Sequence, residues 1–412
     1  MWRPALAGPG HAVTLMNARV VTDAGIASSI RFRSTVLAFD ERPGRADAVV
    51  DLQGAFVLPG LINAHDHLEL NHFGRLKRRD RYANAAEWID DLRPVIRADA
   101  DVRRALAHPL RDRLFIGGLK NLLSGVTTVA HHNPLYRGIA RSVPVRVVRR
   151  FGWAHSLTME GEPVGANGET AGAVDREFRR TPRRYPFVIH AAEGIDAAAA
   201  AEIDRLQAIG CLGANTVLVH GVALTAARWR ALVDAGASLV WCPQSNDFLF
   251  GRTAPVRELL DAAPAARQRI CLATDSRVTG SRDLLDELRF ARSVAAIGER
   301  ELLDMVTRAP AQALRLGGKG TLAAGGPADL IVVPATSDAP AAALVRTRRS
   351  DLELVVVGGA PAVGTARFCG AFAARHVRTA TIAVDGAARL ADLRLASRIR
   401  GCAIQEPGVG CA

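Results

Sequence analysis

Residues 57–68, VLPGLINAHDHL, end in two histidines that alternate with a carboxylate. Successive side chains on a strand point to opposite faces, so His65 and His67 project together while Asp66 points away. Two imidazoles on one face make half a metal site. Two surface histidines at this spacing are also common, and His-x-His alone favours neither reading. Further ligands must therefore come from elsewhere in the chain.

The elements available to position them change character along the sequence. Residues 12–57 read as short strands separated by turns: AVTLMNARVVT, SSIRFRSTVLAFD and, after RPGRAD, AVVDLQGAFVL. From about residue 83 the period becomes helical, in AAEWIDDLRPVI and VRRALAHPLRDRLFIGGLKNLL; the second run stops at Ser124-Gly125, before VTTV. Short apolar strands then alternate with helices: PVRVVRRFGWAHS, YPFVIHAAEG, NTVLVHGV, ASLVWCP and RICLATDS, with DAAAAAEIDRLQAI and TAARWRALVDA among the helices.

Such alternation predicts a parallel sheet with helical crossovers, closed into an α/β barrel of the TIM (β/α)8 type over residues 61–319. Strand ends fall near residues 66, 130, 151, 190, 220, 242 and 275. The eighth strand should lie between Ser156 and Tyr185, in a polar, Gly-rich interval that predicts a degraded or distorted fourth strand. Residues 1–60 and 320–375 return to strand and turn patterns, predicting one small β-sandwich domain built from both chain ends, and residues 376–412 read as a C-terminal tail.

In an α/β barrel the functional residues sit where strands end at the carboxyl face. His65, His67, His190, His220 and Asp275 all fall there, four of the 11 histidines plus one acid at the ends of four strands. Neutral imidazoles with a carboxylate suit zinc or another first-row divalent ion, with a position left for water. Glu193, three residues after His190, is placed to reach water activated at such an ion without binding the ion itself. A helix N-terminal acid favoured by the macrodipole is the plainer alternative.

Composition excludes several classes. The 412 residues, 49% of them hydrophobic, suffice for a barrel of roughly 250 residues and a smaller companion. No apolar run approaches the roughly 20 residues that cross a bilayer, and the opening MWRPALAGPGHAVTL lacks an export pattern, so a cytoplasmic protein without a membrane partner is expected. The six cysteines include no C-x-x-C pair, and Cys242 and Cys271 lie in apolar surroundings that suit reduced thiols. The formal charge of +12 is nearly all arginine, the only lysines being Lys77, Lys120 and Lys319. The basic runs at 75–81 and 346–350 are short, far apart and lack interleaved aromatics, which argues against nucleic acid as a partner.

The motifs PGLINAHDHL, VIHAAEG, VLVHG, CPQSN and LATDS, in this order and spacing, resemble those of the amidohydrolase superfamily. The branch resembled holds cytosine, guanine and S-adenosylhomocysteine deaminases and triazine chlorohydrolases, and the likeness extends through GTLAAGGPADLIVV at 320–333. It implies His65, His67, His190 and Asp275 as metal ligands, Glu193 as the proton-transferring carboxylate, and His220 as the group orienting water or leaving group. Binuclear relatives bridge two metals with a lysine on the fourth strand; no lysine lies between residues 121 and 318 here, so one divalent ion is expected, zinc first and iron second.

The implied activity is metal-dependent hydrolysis of carbon-nitrogen bonds in a small molecule, foremost deamination of an aminated heterocycle. Cyclic-amide or carbon-halogen hydrolysis at the same site is the alternative, and a catalytically silent binding or scaffold barrel is the alternative of another class. Relatives often form dimers or larger assemblies, so a homo-oligomer is allowed. Two departures concern the pocket: Trp241 stands where the family usually has histidine, and the interval after Ser156 is short. His131, and Trp153 with His155 in FGWAHS, are the candidates to touch substrate, an indole being suited to stack on a planar ring. His72 and Arg75 read as a solvated loop, and Asn246 as a turn brace.

Overall fold

Parallel strands rich in Val, Ile and Leu form two sheets around an apolar interior. One sheet orders Arg146–Val147, Val126–His131 and Leu61–Asp66; the other orders Gly152–Trp153, Phe187–Ala191, Thr216–His220, Ser238–Trp241 and Ile270–Leu272. A computed structural model describes residues 10–164 and 169–411. The first nine residues of the opening stretch, and residues 165–168 within the interval expected to hold the fourth strand, lie outside them. Alternate residues face opposite ways: Val188, Val217, Val219, Val240, Cys271 and Ala273 pack together inside, while Phe187, Ile189, Leu218, Leu239, Trp241 and Leu272 pack outward against helices. Asn63 joins the two sheet ends on one side: its Oδ1 accepts from Thr274 N at 3.2 Å and its Nδ2 donates to Thr274 Oγ1 at 2.9 Å. The arrangement is TIM-barrel-like.

Between Ser156 and Tyr185 no described residue joins a parallel sheet. Pro163–Val164 and Glu169–Thr170 form a short antiparallel pair, followed by the helix Val174–Arg180. The stretch read as a single third strand is instead split in two. Arg146–Val147 pairs with Val126–His131, and Gly152–Trp153 pairs with Phe187–Ala191, so one segment borders both sheets. The polar interval has no alternating apolar run with which to supply a strand of its own.

The helix Leu110–Leu123 is buried from Asp112 to Leu123 and packs against the single turn Leu68–Leu70 that follows the His-x-His strand. A Cβ on Gly117 would lie 2.2 Å from Leu68 O, so glycine is what allows this approach.

Both chain ends contribute to a nine-stranded sheet, in which Phe56–Pro59 pairs antiparallel with Leu330–Val333 and parallel with Arg19–Thr22. A four-stranded sheet of Val36–Phe39, Ile30–Phe32, Val13–Met16 and Ala48–Asp51 shares a core with it, including Leu15, Phe32, Val57, Leu330 and Val356. Residues 376–412 are no tail. Thr379–Val384 and Ala387–Asp392 form a hairpin in the nine-stranded sheet, followed by the helix Leu393–Arg400 and the strand Val409–Cys411. The turn is Asp385-Gly386, both at positive φ (49° and 84°), a strong hairpin signal. Among the described residues no helix is long and apolar enough to cross a membrane.

Candidate metal centre

Six histidine rings cluster at the carboxyl ends of the strands: His65, His67, His132, His155, His190 and His220. His65 Nε2 and His67 Nε2 each lie 3.6 Å from Asp275 Oδ1, and His190 Nε2 lies 3.3 Å from His65 Nε2. Two groups could each hold a cation, His65 with His67 and Asp275, and His65 with His190 and His220; within each, the donor atoms lie within 4.8 Å of one another. The structure thus brings His65, His67, His190, His220 and Asp275 together, and it adds His220 to a potential ligand group.

Local backbone geometry aims these groups. Ala64 belongs to the interior core, so regular alternation would send His65 outward; the strand register with Val126–His131 shifts between Asn63 and Asp66, resetting the parity. Val217 and Val219 face inward, so His220 would also point out, but its φ of 78° turns the ring into the pocket. Asp275 sits at φ 52°. Non-glycine residues in this conformation are held there by their surroundings.

Neighbouring groups set the protonation states. His190 Nδ1–H donates to His155 O at 2.8 Å and His220 Nδ1–H to Asn246 Oδ1 at 2.8 Å, leaving both Nε2 lone pairs free. Asp275 Oδ2 accepts from Ser245 Oγ at 2.8 Å and Thr279 Oγ1 at 3.1 Å, and Oδ1 from Ser276 N at 2.7 Å. Burial lowers the pKa of His65 and His190, and that of His220 to about 4. Burial works to raise Asp275, but the His65, His67 and His220 rings beside it outweigh that and hold it well below the usual carboxylate range. Neutral imidazoles and an ionised carboxylate are the forms that bind a cation. The Nε2 atoms of His65 and His190 converge to 3.3 Å with Asp275 Oδ1 beside them, and His65 Nδ1 and His67 Nδ1 are buried without a hydrogen-bond partner, so the donor set fits a divalent metal.

Glu193 faces His220, Oε1 to Nε2 at 3.4 Å. Burial first, then the Asp275 and Glu202 carboxylates, push its pKa well above the ordinary value. Its loop is pinned on two sides. Ala192, at φ 52°, donates its N–H to Glu202 Oε2 at 2.8 Å, while Ala85 N donates to Glu193 O at 3.0 Å and Ile195 N to Ala83 O at 2.7 Å. A Cβ on Gly194 would meet Ala83 O at 2.6 Å.

Of the expected pocket residues, His131 does not enter the cluster. It pairs in register with Asp66 and shares that residue's face, so its ring turns away from the pocket, its Nδ1 3.7 Å from Glu69 Oε2. His132 takes the place instead, stacked on His190 at 4.4 Å and edge-on to His65 at 5.0 Å. Trp153 stands edge-on to His132 at 5.6 Å. Trp241 faces the outer core and donates to Thr253 Oγ1 at 2.6 Å, so the residue that departs from the family pattern packs rather than lining the pocket. His72 bonds Ala105 O at 3.0 Å, away from the site, and Arg75 lies over the Phe248 ring.

Sequence reasoning passed over Lys120. This fully buried lysine lies 3.1 Å from Asp66 Oδ2, on the far side of the His-x-His strand. A lone lysine inside the apolar run IGGLKNLL was the available signal. All six cysteines are free, with Cys242 and Cys271 buried.

The amidohydrolase family model matches residues 185–361, the part that carries His190, Glu193, His220 and Asp275. A 5-methylthioadenosine/S-adenosylhomocysteine deaminase of Halobacterium salinarum is 26% identical, over 78% of this chain and 82% of its own. An 8-oxoguanine deaminase of Pseudomonas aeruginosa is likewise 26% identical, over 74% and 81%. In fold, the chain is similar to the atrazine chlorohydrolase of Arthrobacter aurescens, solved with zinc: TM-score 0.65 at 20% identity, covering 85% of this chain and 94% of the other. With the motifs in family order and their histidines and acid gathered at one end of the barrel, the chain is similar to the amidohydrolase family, whose model matches it over residues 185–361.

Proposed function

We propose that the protein is a metal-dependent hydrolase that deaminates an aminated heterocycle, with aminopurines the first class to test. The relatives named for deamination of adenosine-type and guanine-type compounds support that substrate class. The observation that carries the reading is the placement of Glu193, a carboxylate whose affinity for a proton is raised by burial, beside the convergent group of His65, His67, His190, His220 and Asp275. His65, His67, His190 and Asp275 would hold one divalent ion, zinc by preference. Such an ion supplies Lewis acidity and brings the pKa of water towards neutrality.

The chain's own groups divide the remaining work. Glu193 takes the proton that water gives up as its oxygen bonds the amine-bearing carbon, then returns it to the nitrogen that leaves as ammonia. His220, its tautomer set by Asn246, presents Nε2 to the same space and orients water or leaving group. Trp153 and His132 would form an aromatic wall for a planar ring. The partner is read as a small molecule rather than nucleic acid or membrane, in a cytoplasmic protein with homo-oligomerisation allowed. The division into a barrel over 61–319 and a β-sandwich domain from 1–60 and 320–375, now extended through residue 411, belongs to the same reading.

The test is ammonia release by metal-loaded protein against aminated purines, pyrimidines and pterins, with halide release and cyclic-amide opening in parallel. Glu193→Gln should keep the metal while turnover falls by roughly 10²- to 10⁴-fold. Loss of metal in that variant would make Glu193 a ligand. Full activity would move the proton transfer to another group. Halide or ring-opened product without ammonia would overturn deamination.

A further inference from the structure

The split of the third strand leaves an opening at the other end of the barrel. Residues 148–151 link the two short strands, with Val148 N still donating to Val129 O at 2.9 Å, and a cleft of about 720 Å³ lies beside them. Val147, Val148, Leu314 and Leu316 give it an apolar floor, and Arg141, Arg149, Arg150, Arg184 and Arg315 its charge. Arg184 and Tyr185 precede the strand Phe187–Ala191, whose far end carries His190, so roughly 16 Å of strand at about 3.3 Å per residue separates this cleft from the histidines.

Its charge is uncompensated. Among the described residues no carboxylate lies within 4.0 Å of any of those five guanidiniums, whereas Arg146 and Lys319 at the edge share Asp329. Elsewhere surface arginines such as the exposed Arg179 and the half-buried Arg228 and Arg257 do face acids. Arg315 donates to Ala214 O, and Arg184 lies over the Tyr185 ring at 4.9 Å. Hydrogen bonding from Arg184, with Arg150 nearby, lowers the pKa of the Tyr185 phenol, so these two arginines and the ring form one group at the mouth.

We propose that this cleft is a second binding site, for a small organic phosphate. Several planar guanidiniums without acidic partners match a phosphate dianion, which arginine binds through paired N–H donors. The apolar floor and the Tyr185 ring suit an attached apolar or planar body. The volume falls in the range of small-ligand clefts, about 300–1,000 Å³, and a single cleft at one barrel end does not make the continuous track that a nucleic acid strand requires.

Calorimetric titration of the metal-loaded full chain with 2-naphthyl phosphate, inorganic phosphate and 2-naphthol tests this. Naphthyl phosphate should bind at least 10-fold more tightly than inorganic phosphate, and naphthol should not bind measurably. Arg150→Gln with Arg184→Gln, both at exposed positions, should weaken naphthyl phosphate at least 10-fold. Arg257→Gln, a charge lost on another surface, should leave it unchanged. Hydrogen exchange should show protection at residues 145–150 and 184–185 on binding. Equal affinity for naphthyl and inorganic phosphate, equal loss in the Arg257 control, or protection confined to residues 190–196 would each overturn the proposal.

Discussion

Replacing Lys120 with methionine, alone and together with Asp66→Asn, asks how the metal-binding strand is held from behind. The buried ammonium donates to Asn71 Oδ1 at 2.6 Å, Thr274 Oγ1 at 3.0 Å and Asp275 O at 3.3 Å, besides its 3.1 Å pairing with Asp66. Asp66 accepts from the side-chain amides of Asn71 at 2.7 Å, Asn121 at 2.8 Å and Asn63 at 3.2 Å. Breaking a buried pair by removing one partner costs about 3–5 kcal/mol, because the other charge stays uncompensated. Lys120→Met leaves Asp66 three amide donors, which places the loss near 3 kcal/mol on that ~3–5 kcal/mol scale. Asp66→Asn strands the ammonium among neutral acceptors and makes three amides compete for one carbonyl oxygen, so its loss falls near the upper end, about 5 kcal/mol. The double variant carries neither charge, and its loss should fall about 2 kcal/mol or more short of the sum of the singles. Urea unfolding of metal-loaded protein, followed by tryptophan fluorescence, gives these energies. Because the network grips Asp275 O and the strand carrying His65 and His67, each single variant should also bind zinc about 10- to 100-fold more weakly. Additivity within about 0.5 kcal/mol would refute the coupling. Unchanged zinc affinity would show that the pair stabilises the barrel without ordering the ligands.

Asn246→Ala removes the acceptor that fixes the His220 tautomer; turnover should fall about 10- to 100-fold with metal content unchanged, and equal activity would remove His220 Nδ1 from the mechanism. Deleting residues 376–412 should lower thermal stability and also impair metal binding, since buried Glu406 grips both Arg277, two residues past Asp275, and Arg349. A truncated protein with full metal affinity would contradict that link. The Arg349 hydrogen bond holds Asp385 down to about 2. Its stabilising contribution is therefore present above the unfolded value of 3.8 and lost as pH falls through about 2, so the stability difference between wild type and Asp385→Asn should shrink over that interval.

What the sequence determined by itself was whatever depends on local order. Strand-helix alternation predicts a parallel sheet, and His65, His67, His190 and Asp275 follow from their places at strand ends. The hairpin at Asp385-Gly386 was equally local, yet its short flanking strands read as a tail until the nine-stranded sheet gave them partners. Side-chain direction was a different matter. One residue of register decides whether a histidine faces the pocket or the outer core, and that register depends on pairing with a distant strand. His131 therefore turned out and His132 in, while the positive φ of His220 reversed the parity of its strand. Lys120 is legible as an oddity in an apolar run, but only the packing of its helix behind the His-x-His strand gives it Asp66 as a partner. The split strand and its arginine cleft were decided last of all, because no described residue between Ser156 and Tyr185 supplies a parallel strand, and the cleft takes its shape only when the neighbouring strands close around that interval.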